Sequence, residues 1–453
     1  MKDSILTEAI SKLVQRSKAA IAKMSQELVI RFEVHPVEHK EVEGFKYDEK
    51  GATYTGSSHG YIQTKNWMKA CYDVYHIIAP SNEYMALEAL VKENYPGPYQ
   101  SNITTQYTFK LLQVLFKNEA VGSAIEKLNI AFLQQLKNEV HDAKATAYLS
   151  GIILKNDIIL SEGCLLRKTI KSDLEQPKNA ITDGRHFPIP SAVLEIKMRL
   201  TDKQHGLLQE RITESVRLMR LFDVGSISDI YYNIQFDVIT GGHGTSGSPH
   251  GFLHPWKEYL LKTEDESWFV HFVNHLVKDP KLLNSRKNVN SINIAFDRYS
   301  EGLLENVPIE RRIMNGVMGL EALLSSPKPE IRYSLSLRVS KLLSYFGFEP
   351  LVVKTFVGQA YDIRSSFAHG GHLTSKHKNQ LKENFGGEYN FTVTILNYLR
   401  VSLFIYIATK IEKSVLLKAI DDALLDVTAA ESLATQLEPA EEFLKKKLSQ
   451  LPG

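Results

Sequence analysis

Three things are scarce in this sequence. Only two cysteines, Cys71 and Cys164, occur in 453 residues. They can build neither a disulfide framework nor a multi-cysteine zinc site, and a reducing compartment, the cytoplasm, is the expected location. Net charge is nearly absent: 54 lysines and arginines stand against 52 aspartates and glutamates, leaving +2. A chain held on nucleic acid by overall charge would be strongly basic, so any such site here must be local. Continuous apolar sequence is also short. The N-terminus lacks the uninterrupted apolar core of a signal peptide. The most apolar run, Phe391 to Ala408, approaches membrane length but carries Asn397 and Arg400, which reads as a buried core helix and no membrane span.

What is present is 43% hydrophobic and 23% charged residues, ordinary for a globular protein of two or three domains. Residues 1–28 set Ile5, Leu6, Ile10, Leu13, Val14, Ile21 and Met24 at helical spacing, predicting an amphipathic helix docked on the body, with docking on a partner the alternative. Residues 29–240 are mixed. Alternation in Val29–Val34 and the runs Ala147–Ile153, Ile158–Leu160, Ala192–Leu200 and Ile230–Ile239 predict strands, while helical periodicity covers Tyr84–Lys92, Thr108–Val140 and Asp202–Leu221.

Residues 241–255, rich in glycine and histidine, predict a linker loop. Gly242, Gly244 and Gly247 formally match a dinucleotide fingerprint, but Pro249, Gly251 and Pro255 deny it the helix such a site requires. His243 and His250 read as solvated. His271 and His275 have the four-residue spacing of zinc ligands, yet Phe272 stands where a metalloprotease needs glutamate and no third ligand is evident, so both read as structural and no metal is expected. Residues 256–427 predict helices at 266–277, 290–305, 310–325, 331–346, 350–368 and 388–425, and residues 428–453 a charged helical tail. The fold class is therefore α+β, a mixed α/β region followed by an all-α bundle.

One stretch concentrates chemistry: Ala360-Tyr361-Asp362-Ile363-Arg364-Ser365-Ser366-Phe367-Ala368-His369-Gly370-Gly371. Paired glycines stop a helix and would leave His369 at its C-terminus, where carbonyls favour an imidazolium and the ring can accept and return a proton. Arginine adds a permanently charged fork matched to phosphate oxygens. Together they suit metal-free RNA cleavage, in which a ribose 2′-hydroxyl attacks the adjacent phosphorus. Asp362 reads as an anchor to a neighbouring helix or a cap. Glu321 and Arg338, charges inside apolar helices, are expected to pair with one another or with the motif helix, because buried charge must be compensated.

The motif resembles that of the HEPN superfamily, specifically its Apea-like branch, where Arg-x4–6-His ends a core helix, commonly after a tyrosine-aspartate pair and before glycine. Tyr361-Asp362 and Gly370 hold those places. The likeness extends upstream through Arg312-Ile313-Met314, Gly319-Leu320-Glu321-Ala322-Leu323-Leu324 and Ser336-Leu337-Arg338-Val339-Ser340-Lys341-Leu342-Leu343, covering about residues 265–415. The resemblance implies an all-α domain, a metal-independent endoribonuclease with Arg364 and His369 catalytic and no cofactor, and Ser365 orienting the phosphate, with Asp362, Glu321 and Arg338 supporting. It also implies a homodimer and a toxin or antiviral effector, with a trigger molecule or regulatory protein at the N-terminal region. A non-catalytic HEPN module binding RNA or a protein is the alternative. Relatives silenced by nucleotidylation carry a tyrosine two residues after the histidine; Gly371 stands there.

Overall fold

The computed structural model describes residues 2–23, 45–48, 51–54, 66–94, 102–117, 121–137, 140–173, 189–201, 204, 206–236, 244–247, 255–277, 290–326 and 330–448. The architecture is α+β. Two compact units divide it: one comprises Met1–Thr146, Ile196–Glu210 and Asn233–Ser246, the other Ala147–Glu195, Arg211–Tyr232 and Gly247–Gly453. Neither is continuous in sequence.

The first unit is largely helical. It holds α1 (Lys2–Ala22), α2 (Asn66–Ile78), α3 (Asn82–Asn94), α4 (Ile103–Lys117) and α5 (Val121–Leu136), with the hairpin β1 (Phe45–Asp48) and β2 (Gly51–Tyr54). The expected N-terminal amphipathic helix exists: its Leu6, Ile10 and Leu13 enter a core with Val74, Leu87, Tyr107, Leu111 and Phe132. The periodicity of 108–140 divides into two helices, and α2 had no counterpart in the sequence reading. The strand expected at Val29–Val34 lies outside the described residues.

Further along are β3 (His141–Ser150), β4 (Ile152–Leu154), β5 (Ile158–Ser161), β6 (Cys164–Lys168), β7 (Ala192–Leu200), α6 (Gly206–Phe222), β8 (Ser228–Phe236), β9 (Gly244–Gly247) and β10 (Tyr259–Leu261). One sheet has the order β5-β6-β7-β3-β8-β9, and β10 pairs in parallel with β4. The strand β9 corrects the expectation of a loop throughout 241–255. Its flanking histidines, His243 and His250, are outside the described residues.

The helical part of the second unit contains α7 (Glu266–Val277), α8 (Ser291–Leu304), α9 (Ile309–Leu324), α10 (Ile331–Ser344), α11 (Pro350–Ala368), α12 (Ser375–Phe385), α13 (Glu388–Thr409), α14 (Lys413–Ala423) and α15 (Val427–Leu448). Its hub is α13, with Phe391, Ile395, Leu396, Leu399, Leu403 and Phe404 all buried. This helix is long and apolar enough to cross a membrane by length and composition alone, but 78% of its most apolar stretch is buried in the protein. Arg400 is satisfied there, donating through Nη1 to the carbonyls of Leu221 and Phe222 at 2.7 and 3.0 Å, the terminal carbonyls of α6. Small residues set the approach of α9: a Cβ at Gly319 would strike the Leu399 side chain. The expected helix over 388–425 is two helices. Lys410 breaks it with φ 56°, a left-handed stop made without glycine. The tail helix α15 buries Leu433, Leu437 and Ala440.

Candidate active site on the motif helix

The first turn of α11 is set by Glu349, whose carboxylate accepts from the Val352 N–H at 2.6 Å, and by Pro350, which fits a turn whose N–H groups are unpaired anyway. Val353, Phe356, Val357, Gly358 and Ala360 bury its inner face. The far end closes in a Schellman turn. Gly371 N–H donates to the Ser366 carbonyl at 2.8 Å and Gly370 N–H to that of Phe367 at 3.0 Å, while Gly370 holds φ +83°. A Cβ at position 371 would sit 2.9 Å from the Ser366 carbonyl oxygen and collide with Ser366 Oγ. Glycine is therefore required at 371 by this turn.

His369 is the C-cap residue, as the sequence predicted, and its side chain is exposed. Its ring makes no hydrogen bond or ion pair among the described residues. Arg364 leaves the helix elsewhere, since five residues correspond to about 140° of rotation. Its Nη2 donates to Glu321 Oε2 of α9 at 3.1 Å, and its guanidinium lies 5.6 Å from the Tyr361 ring centroid. Glu321 is the more enclosed partner, 16% exposed against 28% for Arg364. Burial pushes its carboxyl above the usual range, and the Arg364 charge opposes that rise. Glu321 Oε1 is buried with no hydrogen-bond partner among the described residues.

Asp362 anchors the neighbouring helix: Arg332 of α10 reaches its Oδ2 at 2.7 Å, with both side chains more than half exposed. Ser365 is partly exposed, and its carbonyl accepts from His369 N–H at 3.3 Å. Arg338 departs from expectation, pairing neither with Glu321 nor with α11. It is 7% exposed, donates from Nε and Nη2 to both oxygens of Asp421 on α14 at 2.7 Å each, and from Nη1 to the Leu324 carbonyl at 3.1 Å. This sets Arg338 into the packing of α9, α10 and α14. It borders an open cavity of about 820 Å³ with Ser325, Ser326, Lys413 and Asp422, and no motif residue lines that cavity. His271 is exposed beside Trp268, with ring centroids 6.0 Å apart; the His275 side chain lies outside the described residues.

The helix α12 was missed in the sequence because only Leu381 and the partly covered Phe385 interrupt its polar run. Local signals exist at both ends. Thr374 Oγ1 accepts from His377 N–H at 3.3 Å, and Gly386 closes the helix at φ 72°. The motif thus offers an unengaged imidazole at a helix C-terminus and a guanidinium steadied by a carboxylate, groups suited to proton transfer and to stabilising an anion. Comparison with protein-family models, with curated proteins and with solved structures gives no match.

Proposed function

We propose that this protein is a metal-independent endoribonuclease of HEPN type, acting as a toxin or antiviral effector in the cytoplasm and working as a homodimer through its C-terminal helical domain. The observation that carries this reading is the placement of the motif: exposed His369 caps α11 while Arg364 on the same helix is held by Glu321. In the proposed reaction, neutral His369 takes the proton of the attacking 2′-hydroxyl. The O2′–P bond forms, the P–O5′ bond breaks, and the same proton passes to the departing 5′ oxygen. Arg364 stabilises the charge on the non-bridging oxygens. No water is consumed. The N-terminal region is the proposed place for a trigger or restraining partner.

A second reading, a module that binds RNA or a protein without cutting, draws on the Arg364–Glu321 pair, which spends part of the arginine's charge inside the protein. One assay separates the two. Purified protein with a chelator is expected to cut single-stranded RNA and leave 2′,3′-cyclic phosphate ends. Dependence on magnesium, or cleavage of RNA with every 2′-hydroxyl methylated, would overturn the mechanism. Shifted RNA mobility without cutting would select the binding module.

A further inference from the structure

From Arg364 to Lys382 the chain carries four permanent cations, Arg364, Lys376, Lys378 and Lys382, three histidines, His369, His372 and His377, and no carboxylate. In a protein whose net charge is only +2, this is a basic stretch: α12 itself carries three lysines against one carboxylate, Glu383, while Arg364 at the start of the stretch is answered by Glu321. The fold presents it in an ordered way. Five residues, Gly370–Thr374, join His369 to α12, and that connector is tied down where Leu373 N–H donates to Glu310 Oε1 at 3.4 Å. Leu381 is buried, and Phe385 packs on Phe356 of α11 and Phe391 of α13 at 4.9 and 5.2 Å between centroids. These contacts fix α12 to the motif helix while His377, Lys378 and Lys382 remain exposed. Lys378 also reaches Glu388 Oε1 at 3.2 Å, next to the start of α13. There Tyr389 is 45% exposed, its ring 5.1 Å from that of Trp256.

A basic helix leading from the motif toward an exposed, backed aromatic is the combination single-stranded RNA uses: cations track phosphates, and a ring offers a face to a base. We propose that α12 and Tyr389 form the binding track for the RNA strand flanking the cleaved bond, with Lys378 and Lys382 on phosphates and Tyr389 stacking a base. This assignment rests on the ribonuclease reading for its direction along the strand, but its test reads binding alone.

The experiment measures binding of a fluorescent, fully 2′-O-methylated single-stranded RNA to the full chain across a salt series. Lys378→Ala/Lys382→Ala is expected to weaken binding about tenfold and to lower the salt slope by about 1.4, roughly 0.7 per phosphate contact on a single strand. Lys378→Arg/Lys382→Arg should retain both values. Tyr389→Ala should weaken binding about tenfold with the salt slope unchanged, the mark of lost stacking rather than lost charge. Unchanged affinity and slope in the double alanine variant would overturn the track even if the wild type cleaves. Loss of binding in that variant would support it even if the wild type never cleaves. Attachment to vesicles of anionic lipid without RNA binding would also overturn it.

Discussion

Glu321 Oε2 accepts from Arg364 Nη2 across 3.1 Å while the other oxygen of the same carboxylate is buried without a partner among the described residues. The pair joins α9 to the motif helix, and its asymmetry has a consequence for stability. Burial raises the Glu321 pKa and Arg364 restrains the rise. The carboxyl therefore favours folding most at and below the ordinary carboxylate range, and that contribution is lost as pH climbs through its raised value. Removing Arg364 takes away the restraint exactly where Glu321 is ionised.

Arg364→Ala is expected to cost about 1–2 kcal/mol near neutral pH, less than the roughly 3–5 of a fully enclosed pair because both partners are partly solvated. In acidic buffer, where Glu321 is neutral, the cost shrinks. Urea unfolding at the two pH values measures it, and Arg364→Ala/Glu321→Gln should lose the pH dependence. An equal cost at both pH values would show that the pair contributes nothing electrostatic.

His369 behaves differently because its exposed ring makes no hydrogen bond or ion pair among the described residues. His369→Ala should unfold within about 0.5 kcal/mol of the wild type, while RNA cleavage falls by at least about 100-fold. Activity retained in this variant would remove His369 from the site; a large loss of stability would mean that the ring serves the fold.

Arg338 and Asp421 give the opposite outcome. Arg338 is enclosed whereas Asp421 is 44% exposed, so the two single truncations are unequal. Asp421→Ala leaves a buried guanidinium short of its counter-charge and should cost about 3 kcal/mol or more; Arg338→Met leaves a carboxylate that water can reach and should cost less. Both variants, once folded, should cleave RNA at the wild-type specific rate. A rate defect in Arg338→Met at full folding would return Arg338 to the site.

The turn after the motif helix can be tested through its glycines. Gly370→Ala must adopt φ near +83° and is expected to cost about 1–2 kcal/mol, read as a lowered urea midpoint. Gly371→Ala must push against Ser366, displacing the residues that position His369, so its cleavage rate should fall further than its stability. Equal rates for Gly371→Ala and wild type would show that the turn geometry does not matter to the chemistry.

The motif helix and its cap were legible because their signals are local: Pro350 opens the helix, paired glycines close it, and the apolar spacing between them is regular. The strand Ala192–Leu200 was likewise read to its ends from branched, apolar sequence. The break at Lys410 was not legible, since a left-handed lysine between two apolar helices leaves no glycine or proline to announce it. Nor was the Arg338–Asp421 pair, whose members lie 83 residues apart and meet only once α10 and α14 pack. The need to compensate a buried charge pointed Glu321 either to Arg338 or to the motif helix, and that argument does not say which arginine answers it; Arg364 does. The helix α12 escaped because helices held by two side chains have almost no apolar period.

The proposed dimer makes the sharpest demand on the motif. Five residues of regular helix turn about 140°, so Arg364 and the C-cap His369 point apart on that geometry, and a cleft between two motif helices would draw the arginine from one protomer and the histidine from the other. Arg364→Ala and His369→Ala proteins, each inactive alone, are then mixed in equal amounts and allowed to exchange subunits. Half the dimers become mixed, and each mixed dimer holds one cleft with both side chains intact and one with neither. About a quarter of wild-type activity should return, rising with time as exchange proceeds. Mixing without recovery, after exchange is confirmed by differently labelled subunits, would place both side chains in one protomer's site. Full activity from a monomer at nanomolar concentration would remove the dimer from the mechanism altogether.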